Sequence, residues 1–245
     1  MNTQTTIEKM KELRLTGMSE LYHRSLQEKN FPDYSTDEML ALLIDTEWEC
    51  RVNRKIKSLT KAAGFKIQAS PNNINYSSKR NLDKNTFERI LSLQFINQVE
   101  NIIITGPTGV GKSYLAQAIG VNACIQTIKT LYFNSADLMA KINLAKMDGS
   151  YIKLLNKIQR AELIIIDDFG LHPFDNNYRQ ALMDIIEDRY ERASTIITSQ
   201  IPVANWHETI GEGTIADAIL DRLVYSSHRI ELDGESLRKN KILKG

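Results

Sequence analysis

The sequence predicts an α/β fold in which helices flank a parallel five-stranded sheet, with a small all-α domain ahead of the sheet. Three observations support this prediction. From about residue 83, short β-branched apolar runs alternate with helical patterns, which is typical of parallel strands joined by crossover helices. A glycine-rich turn separates the first of these runs from the helix that follows it. Residues 1–68, in contrast, carry their apolar side chains at helical spacing.

Each predicted strand is a short apolar run rich in β-branched residues, as expected for strands that are buried on both faces of a sheet. In a parallel sheet of this kind, ligands bind at the carboxyl ends of the strands. The predicted strands are Ile102–Thr105, Thr130–Asn134, Leu163–Asp167, Thr195–Ser199 and Arg229–Leu232, and the predicted helices between them are 113–126, 135–146, 176–191 and 214–224.

The amino-terminal region is predicted to be helical up to a glycine stop. Ser35-Thr-Asp-Glu38 has the spacing of a capping box, in which the serine and glutamate side chains bind backbone N–H groups of the first turn. Gly64 would end the helix, because glycine readily adopts the left-handed conformation found at helix carboxyl ends. We therefore predict a helical domain at 1–68, whose function as a DNA- or partner-binding domain is argued from its charges below, a linker at 69–82 and an α/β domain at 83–245.

Composition excludes several classes of protein. Of the 245 residues, 42% are hydrophobic and 25% are charged, as in an ordinary soluble globular protein. The formal net charge is only +1, so any affinity for nucleic acid must come from local patches. No apolar run could span a bilayer and no signal peptide is recognisable, which predicts a cytoplasmic protein without a membrane partner. Cys50 and Cys124 have no metal-like spacing and are predicted to be reduced thiols.

Residues 106–113 read Gly-Pro-Thr-Gly-Val-Gly-Lys-Ser, a phosphate loop between a strand and a helix. Glycines let such a loop turn tightly and aim its N–H groups at phosphate oxygens, and the dipole of the following helix favours the same anion. Lys112 would supply a positive charge for the β- and γ-phosphates, and the Ser113 hydroxyl would ligate Mg²⁺. The predicted nucleotide-binding residues here are Gly106, Pro107, Thr108, Gly109, Val110, Gly111, Lys112, Ser113 and Tyr114.

A second apolar strand, Leu163–Asp167, is followed directly by another aspartate. In nucleotide-binding α/β sheets, the strand that ends beside the phosphate loop places an aspartate where it holds the Mg²⁺ shell. Asp167 is predicted to have that role, and Asp168 is predicted to accept the proton of the attacking water as a general base. Many strands end at one aspartate, but this pair downstream of a phosphate loop predicts a site for a nucleoside triphosphate.

The stretch from Cys50 to Leu82 contains eight Lys or Arg residues and no Asp or Glu. One interpretation is the solvated face of a long helix. The absence of any acidic partner favours the other interpretation, a surface that contacts nucleic acid phosphates. The predicted DNA-binding residues are Arg51, Arg54, Lys55, Lys57 and Lys61.

Taken together, these segments make the chain resemble IstB-type ATPases. These are AAA+ proteins of the DnaA/DnaC initiator group that bacterial insertion sequences encode as transposition helpers. The phosphate loop and acidic strand mark only a P-loop ATPase, whereas three further segments make the resemblance specific. They are Leu13-Arg-Leu-Thr-Gly-Met18, Ile197-Thr-Ser-Gln200 and Gly234-Glu-Ser-Leu-Arg238, and Glu47-Trp-Glu49, Asp188-Arg-Tyr-Glu-Arg192, Trp206-His-Glu208, Asp217-Ala-Ile-Leu-Asp-Arg-Leu223 and His228-Arg-Ile-Glu-Leu232 also match.

The resemblance implies roles for residues beyond the phosphate loop. Thr198 or Ser199 takes the position called sensor 1, and Arg222 that of an arginine finger that reaches a neighbouring subunit's nucleotide. The catalytic residues are then Lys112, Asp168, Arg222, Thr198 and Ser199, the metal ligands are Ser113 and Asp167, and Arg238 joins the ATP-binding residues as sensor 2.

Two points of the resemblance leave alternatives. Arg189 and Arg192 are also candidates for the arginine finger. Most AAA+ ATPases carry a glutamate where this chain has Asp168, and the shorter side chain would lie farther from the attacking water. ATP hydrolysis is therefore expected to be slow and to be stimulated by DNA or by a partner.

The resemblance also implies a function. The chain is expected to bind ATP and Mg²⁺, to form a homo-oligomer on duplex DNA when ATP is bound, and to assist a cognate transposase in target selection. The alternative is a DnaC-type helicase loader, which shares the ATPase core but differs in the amino-terminal region. A nucleotide or metabolite kinase would need an arginine-rich lid that we do not find. A nucleotide switch that assembles without hydrolysing ATP is a further alternative.

Overall fold

The computed structural model describes residues 3–28, 32–76 and 80–237, and the chain forms two compact units that divide between Ser58 and Leu59. Within the described residues, no helix is both long enough and apolar enough to cross a membrane. Cys50 and Cys124 are free thiols. The helices before the division are α1 (Thr3–Glu12), α2 (Thr16–Gln27) and the first part of α3 (Thr36–Ala63).

Both predicted signals at the ends of α3 are confirmed. The Ser35 backbone N–H and hydroxyl donate to Glu38 Oε2 at 2.8 and 2.7 Å, and the Glu38 N–H donates back to Ser35 Oγ at 3.3 Å. This reciprocal pair is a capping box. At the other end, Gly64 follows the last helical residue with a φ of 77°, the left-handed conformation that glycine adopts without strain.

A buried carboxylate joins α2 to α3 within the first unit. Glu47 Oε2 accepts hydrogen bonds from the backbone N–H groups of Gly17 at 2.7 Å and Met18 at 3.3 Å, and Oε1 accepts from Arg51 Nε at 2.7 Å. Burial by itself raises the pKa of Glu47, but these hydrogen bonds outweigh burial and hold the pKa below its ordinary value. Gly17 has no room for a side chain, because a Cβ would lie 2.8 Å from the Thr46 carbonyl oxygen. Two segments of the family resemblance, Leu13–Met18 and Glu47–Glu49, therefore contact each other through the Glu47 carboxylate.

The second unit is built on a parallel five-stranded sheet, as predicted, with strand order β2-β3-β4-β1-β5. Because β3, β4 and β1 are neighbours, their carboxyl ends lie side by side at one edge of the sheet. The phosphate loop follows β1, Asp167 is the last residue of β3, and Asp168 comes directly after it. The strands are β1 (Asn101–Thr105), β2 (Thr130–Asn134), β3 (Leu163–Asp167), β4 (Ser194–Ser199) and β5 (Ser227–Glu231).

Helices cover both faces of this sheet. The side chains of β1 alternate between two cores, so Ile102 and Ile104 pack in one with Leu115 while Ile103 packs in the other with Leu182. Both cores are closed to solvent, which makes the sheet a rigid base for the loops at its edge. The helices of this unit are the end of α3, α4 (Lys84–Leu91), α5 (Gln94–Asn97), α6 (Lys112–Ile125), α7 (Ser135–Met147), α8 (Tyr151–Gln159), α9 (Asn176–Arg189), α10 (Trp206–Ile210) and α11 (Gly213–Val224).

The structure differs from the sequence prediction at several elements of the second unit. The last strand is Ser227–Glu231 rather than Arg229–Leu232. It lies at the edge of the sheet, and only Ile230 among its residues is buried, so an apolar pattern marks it poorly. Helices α4, α5, α8 and α10 were not predicted. With four and five residues, α5 and α10 have too few turns to show an apolar period, and α4 and α8 have only eight and nine residues.

The division between the units lies earlier than the predicted linker at 69–82. The segment after Gly64 packs on the second unit, because Gln117 Oε1 of α6 accepts hydrogen bonds from the backbone N–H groups of Lys66 at 2.8 Å and Ile67 at 3.0 Å. A short 3₁₀ helix, Pro71–Asn73, follows. These polar backbone contacts leave no apolar signature in the sequence. The assignment of separate functions to the two parts of the chain remains a prediction.

We expect Glu47→Gln to destabilise the first unit, because an amide cannot replace the charge that pairs with Arg51. The cost is about 1–3 kcal/mol, and it should appear as faster hydrogen exchange of the Gly17 and Met18 amides at pH 7. Because the folded pKa of Glu47 lies below the unfolded one, this stabilisation is present above about pH 4.3 and is lost as the pH falls through the folded pKa.

The matched control for this variant is Glu49→Gln, which removes the same charge from an exposed position of α3. Exchange rates that do not differ between the two variants would contradict a structural role for Glu47.

Candidate nucleotide-binding site

The phosphate loop turns through three glycines in conformations that other residues rarely adopt. The φ angles of Gly106, Gly109 and Gly111 are 141°, 84° and 97°. A Cβ at Gly106 would overlap the carbonyl oxygen of Leu232, and one at Gly109 would overlap the Ser236 side chain. Glycine is therefore required here both for backbone conformation and for close packing against the segment that follows β5.

Lys112 is the first residue of α6 and lies folded against the loop that precedes it. Its Nζ donates to the carbonyl oxygens of Gly106 and Pro107, each at 2.8 Å, and only 5% of the residue is exposed. The ammonium group is therefore held at the phosphate loop, beside the backbone N–H groups at the start of α6. A cation and a helix amino terminus in one place form a site for an anion.

Asp167 collects hydrogen bonds from three hydroxyl groups on three different elements. Ser113 Oγ of α6 and Thr198 Oγ1 of β4 both donate to Oδ1, the former at 2.9 Å, and Tyr132 of β2 donates to Oδ2 at 2.7 Å. Asp167 is 2% exposed, and burial together with this hydrogen bond raises the pKa of Tyr132 far above its ordinary value. Carboxylate and hydroxyl oxygens are ligands that Mg²⁺ accepts, so Asp167 and Ser113 suit the metal role predicted for them.

Asp168 lies one residue beyond this cluster and lines the open cavity. Its φ of 57° places it in the left-handed region, and its N–H donates to Thr198 Oγ1 at 3.2 Å. Asn134, the last residue of β2, donates to Asp168 Oδ2 at 3.0 Å. The two neighbouring aspartates therefore face different surroundings: Asp167 is buried among hydroxyl groups, and Asp168 faces the cavity.

The end of β4 distinguishes the residues that could act as sensor 1. Thr198 and Ser199 are both fully buried; Thr198 contacts Asp167, and Ser199 Oγ donates to the Phe169 carbonyl oxygen at 2.7 Å. The next residue, Gln200, lines the cavity, and its Oε1 accepts a hydrogen bond from Thr108 of the phosphate loop at 2.6 Å. Gln200 was not among the predicted site residues, although it ends the Ile197-Thr-Ser-Gln200 segment of the family resemblance and directly follows a strand at the ligand-binding edge.

One cavity of about 620 Å³ joins these groups. Several of the predicted nucleotide-binding residues line this cavity. Gly106, Pro107 and Val110 are not among the lining residues, and their carbonyl oxygens accept hydrogen bonds from Lys112 or Arg80. The region predicted as linker lines one side, which the sequence did not indicate. The lining residues are Ile67, Asn73, Asn75, Arg80, Thr108, Gly109, Gly111, Lys112, Ser113, Tyr114, Asp168, Gln200 and Leu237.

Arg222 lies on α11 and is not among the residues that line this cavity. Its NH2 group pairs with Glu187 Oε2 at 2.6 Å, its NH1 group donates to the Ala218 carbonyl oxygen at 2.9 Å, and its guanidinium lies 5.7 Å from the centre of the Tyr190 ring. Within the described residues its Nε is buried without a hydrogen-bond partner. The arginine is therefore held in a defined position away from its own chain's phosphate loop.

The other arginines considered above differ in what they can do. Arg189 is 3% exposed and donates to the backbone carbonyl oxygens of Ala161 at 2.8 Å and Ser194 at 2.5 Å, as well as to others nearby. These bonds tie α9 to the strands, so Arg189 is a structural residue. Arg192 is exposed and pairs with Asp188 at 3.1 Å. Arg238 lies outside the described residues.

The five predicted DNA-binding residues are exposed along α3. Two of them also hold the first unit together: Arg51 pairs with Glu47, and Arg54 donates to Thr16 Oγ1 at 2.6 Å. The other three, Lys55, Lys57 and Lys61, form no ion pair with a described carboxylate.

Comparison with known proteins identifies the family. Residues 8–245 match the family model described as IstB-like ATP binding protein. An insertion sequence ATP-binding protein of Sinorhizobium fredii (strain NBRC 101917 / NGR234) is 43% identical over 235 residues, which cover 96% of each chain. The insertion sequence IS1162 ATP-binding protein of Pseudomonas fluorescens is 36% identical over 207 residues, covering 82% of this chain and 88% of the relative.

A crystal structure of the DnaC helicase loader superposes with a TM-score of 0.57 and 19% identity, and the match covers 72% of this chain and 99% of that one. At this identity the similarity establishes the fold alone, which is the AAA+ P-loop fold. The family model and the relatives go further. This chain belongs to the IstB-like family of insertion sequence ATP-binding proteins.

Proposed function

We propose that this protein hydrolyses ATP, assembles on duplex DNA when ATP is bound, and assists a partner transposase in choosing the site of insertion. The observation that supports the proposal best is the contact between Ser113 of the phosphate loop and Asp167 of β3, at 2.9 Å. This contact unites the phosphate-binding and metal-binding halves of an ATPase site in a chain from an insertion-sequence family.

The described residues can be assigned parts in hydrolysis. Ser113 and Asp167 would hold Mg²⁺, which supplies positive charge to the phosphate oxygens. A water attacks the γ-phosphorus, ADP leaves, and Asp168 accepts the proton of that water. Gln200 lines the same cavity as Asp168 and accepts a hydrogen bond from Thr108 of the phosphate loop, so its amide would orient the water or contact the γ-phosphate. We assign it this role in preference to Thr198 and Ser199. Thr198 supports Asp167 instead.

Two features of Asp168 would limit its action as a general base. The hydrogen bond from Asn134 occupies one of its carboxylate oxygens, and its side chain is shorter than glutamate by one methylene. Both features favour slow hydrolysis by the isolated subunit. A nucleotide switch that assembles without hydrolysis differs from our proposal only in this step.

Assembly would complete the site from a second subunit. Arg222 is absent from the lining of its own chain's cavity yet is held at a fixed place by Glu187 and Tyr190. An arginine that acts on a neighbour's γ-phosphate has to project from a surface other than its own nucleotide site. Loss of the γ-phosphate on hydrolysis would then weaken the contact between subunits.

Duplex DNA would bind the basic residues of α3. Lys55, Lys57 and Lys61 are exposed and available, whereas Arg51 and Arg54 would have to contact DNA while keeping their contacts inside the first unit. Lysine contacts to phosphates carry no sequence information, so this surface would give affinity for any duplex.

The alternative function is that of a helicase loader, which the AAA+ fold also serves. The two functions differ in the nucleic acid and the partner. A loader would bind single strands and a helicase, and a transposition helper would bind duplex DNA and a transposase. The DNA experiment below separates them.

Lys112→Ala is expected to weaken ATP binding by about tenfold or more, because it removes the cation that faces the phosphates. Assembly with ATP should be lost, while the circular dichroism spectrum and the thermal unfolding of the nucleotide-free protein stay close to wild type. Isothermal titration with ATP measures the effect. Lys153→Ala, at an exposed position of α8, is the control, and wild-type ATP affinity in Lys112→Ala would refute the assignment of the loop.

Arg222→Ala is expected to keep ATP binding and to lose hydrolysis by about 10³-fold together with ATP-dependent assembly. Phosphate release and sedimentation measure the two effects. Glu187→Gln is the discriminating control, because it breaks the same ion pair but keeps the arginine. Wild-type hydrolysis and assembly in Arg222→Ala would contradict the assignment of Arg222 as the finger.

Large assemblies on duplex DNA are expected with ATP and not with ADP or without nucleotide, as seen by sedimentation. In Lys55→Ala/Lys57→Ala, DNA binding should weaken on all sequences, and the slope of log K against log salt should fall by about two, one for each phosphate contact. The double variant Lys84→Ala/Arg89→Ala on α4 is the control. Binding confined to single strands would favour the loader function, and an unchanged salt slope would remove α3 from the DNA contact.

A further inference from the structure

A buried arginine stands directly against the phosphate loop. Arg80 is 4% exposed and precedes α4 in the chain. Its NH2 group donates to the Val110 carbonyl oxygen at 2.6 Å, and its NH1 group donates to the Asn75 carbonyl oxygen. A Cβ at Gly111 would lie 2.7 Å from the same NH2 group, so the guanidinium touches the loop where it enters α6.

The charge of this guanidinium is not neutralised within the described part of the chain. No described carboxylate forms an ion pair with Arg80, and its Nε is buried without a hydrogen-bond partner among the described residues. Burial lowers the pKa of Arg80, because the charged form is removed from contact with water. A buried cation without an anionic partner destabilises a protein.

The position of Arg80 suggests what compensates for this cost. Its side chain lines the 620 Å³ cavity, in which it lies on the wall with Asn73 and Asn75, and Lys112 lines the same cavity. The phosphate chain of a nucleotide carries several negative charges, and inside a protein a charge pair interacts much more strongly than in water. A nucleotide in the cavity would therefore give Arg80 the partner that it lacks.

The backbone of Arg80 also links the segments that surround the loop. Its carbonyl oxygen accepts a hydrogen bond from the Asp233 N–H at 3.1 Å, and the Leu237 N–H donates to the Gly109 carbonyl oxygen at 3.0 Å. The residues before α4, the phosphate loop and the segment after β5 are thus joined around one guanidinium.

We propose that Arg80 is a second nucleotide-binding cation, which fixes the phosphate loop through Val110 and supplies a buried positive charge to the phosphate chain. The proposal rests on the nucleotide site described above. It differs from a structural role in what it predicts, because a structural arginine would stabilise the protein whether or not the nucleotide is bound.

The test compares Arg80→Gln, Arg80→Lys and the control Arg89→Gln, which removes an exposed charge of α4. ATP affinity is measured over a range of salt concentrations, and thermal unfolding is measured with and without ATP. In Arg80→Gln we expect ATP to bind about tenfold more weakly or worse, with a shallower salt dependence. ATP should raise the unfolding temperature of Arg80→Gln by less than it raises that of wild type, each measured against its own nucleotide-free protein.

Arg80→Lys keeps the charge but cannot donate to the Asn75 and Val110 carbonyl oxygens together. It should therefore retain the wild-type salt dependence and part of the affinity for ATP. Wild-type ATP affinity in Arg80→Gln would overturn the proposal. Equal losses in both Arg80 variants with an unchanged salt dependence would also overturn it, since the arginine would then act only through its hydrogen bonds. If Arg80→Gln does not fold, Arg80→Met, which also removes the charge, takes its place with the same expected and contradicting outcomes.

Lys112→Ala, measured in parallel, distinguishes a failure of the Arg80 proposal from a failure of the nucleotide-site assignment. If Lys112→Ala loses ATP and Arg80→Gln does not, only the inference about Arg80 fails. If neither variant changes ATP binding, the nucleotide site itself has been assigned to the wrong cavity.

Discussion

The convergence of three hydroxyl groups on Asp167 is the contact on which the site depends. Ser113, Tyr132 and Thr198 come from a helix and two strands, and their donors meet at one carboxylate only if β2, β3 and β4 keep their observed register. A shift of one residue in a strand would turn its side chain to the opposite face of the sheet. The closed cores on both faces prevent such shifts, so packing far from the cavity sets the position of Asp167, the residue proposed to hold the metal.

The phosphate loop shows the same dependence on its surroundings. Its glycines allow the backbone to turn, and packing contacts with neighbouring segments hold the loop in this conformation. Leu232 and Ser236 leave no space beside Gly106 and Gly109, and the Arg80 guanidinium holds the Val110 carbonyl oxygen. Two cations, from residues far apart in sequence, are thereby placed at one loop. A polyphosphate bound in the cavity would contact both charges, which would link nucleotide binding to the stability of this part of the protein.

The two compact units suit different parts of the proposed function. The sheet unit contains the candidate nucleotide cavity and Arg222, so in the proposed function it would both bind ATP and report on a neighbour's nucleotide. The amino-terminal unit is held by the Glu47 contact with the start of α2, which is independent of the nucleotide, and it carries exposed lysines on α3. A helper that marks DNA needs both properties: a surface that binds any duplex and an assembly that responds to ATP.

The sequence by itself determined the parallel sheet, the phosphate loop, the acidic pair and the family resemblance, because each depends on local periodicity or on a contiguous motif. It also located both ends of α3. Tertiary structure alone decided which side chain at the end of β4 faces the cavity, since Thr198, Ser199 and Gln200 differ there only in direction. The partners of Asp167 and Asp168, Tyr132 and Asn134, came from another strand. Arg80, part of a basic stretch in the sequence, became a residue of the nucleotide cavity because folding buried it against a distant loop.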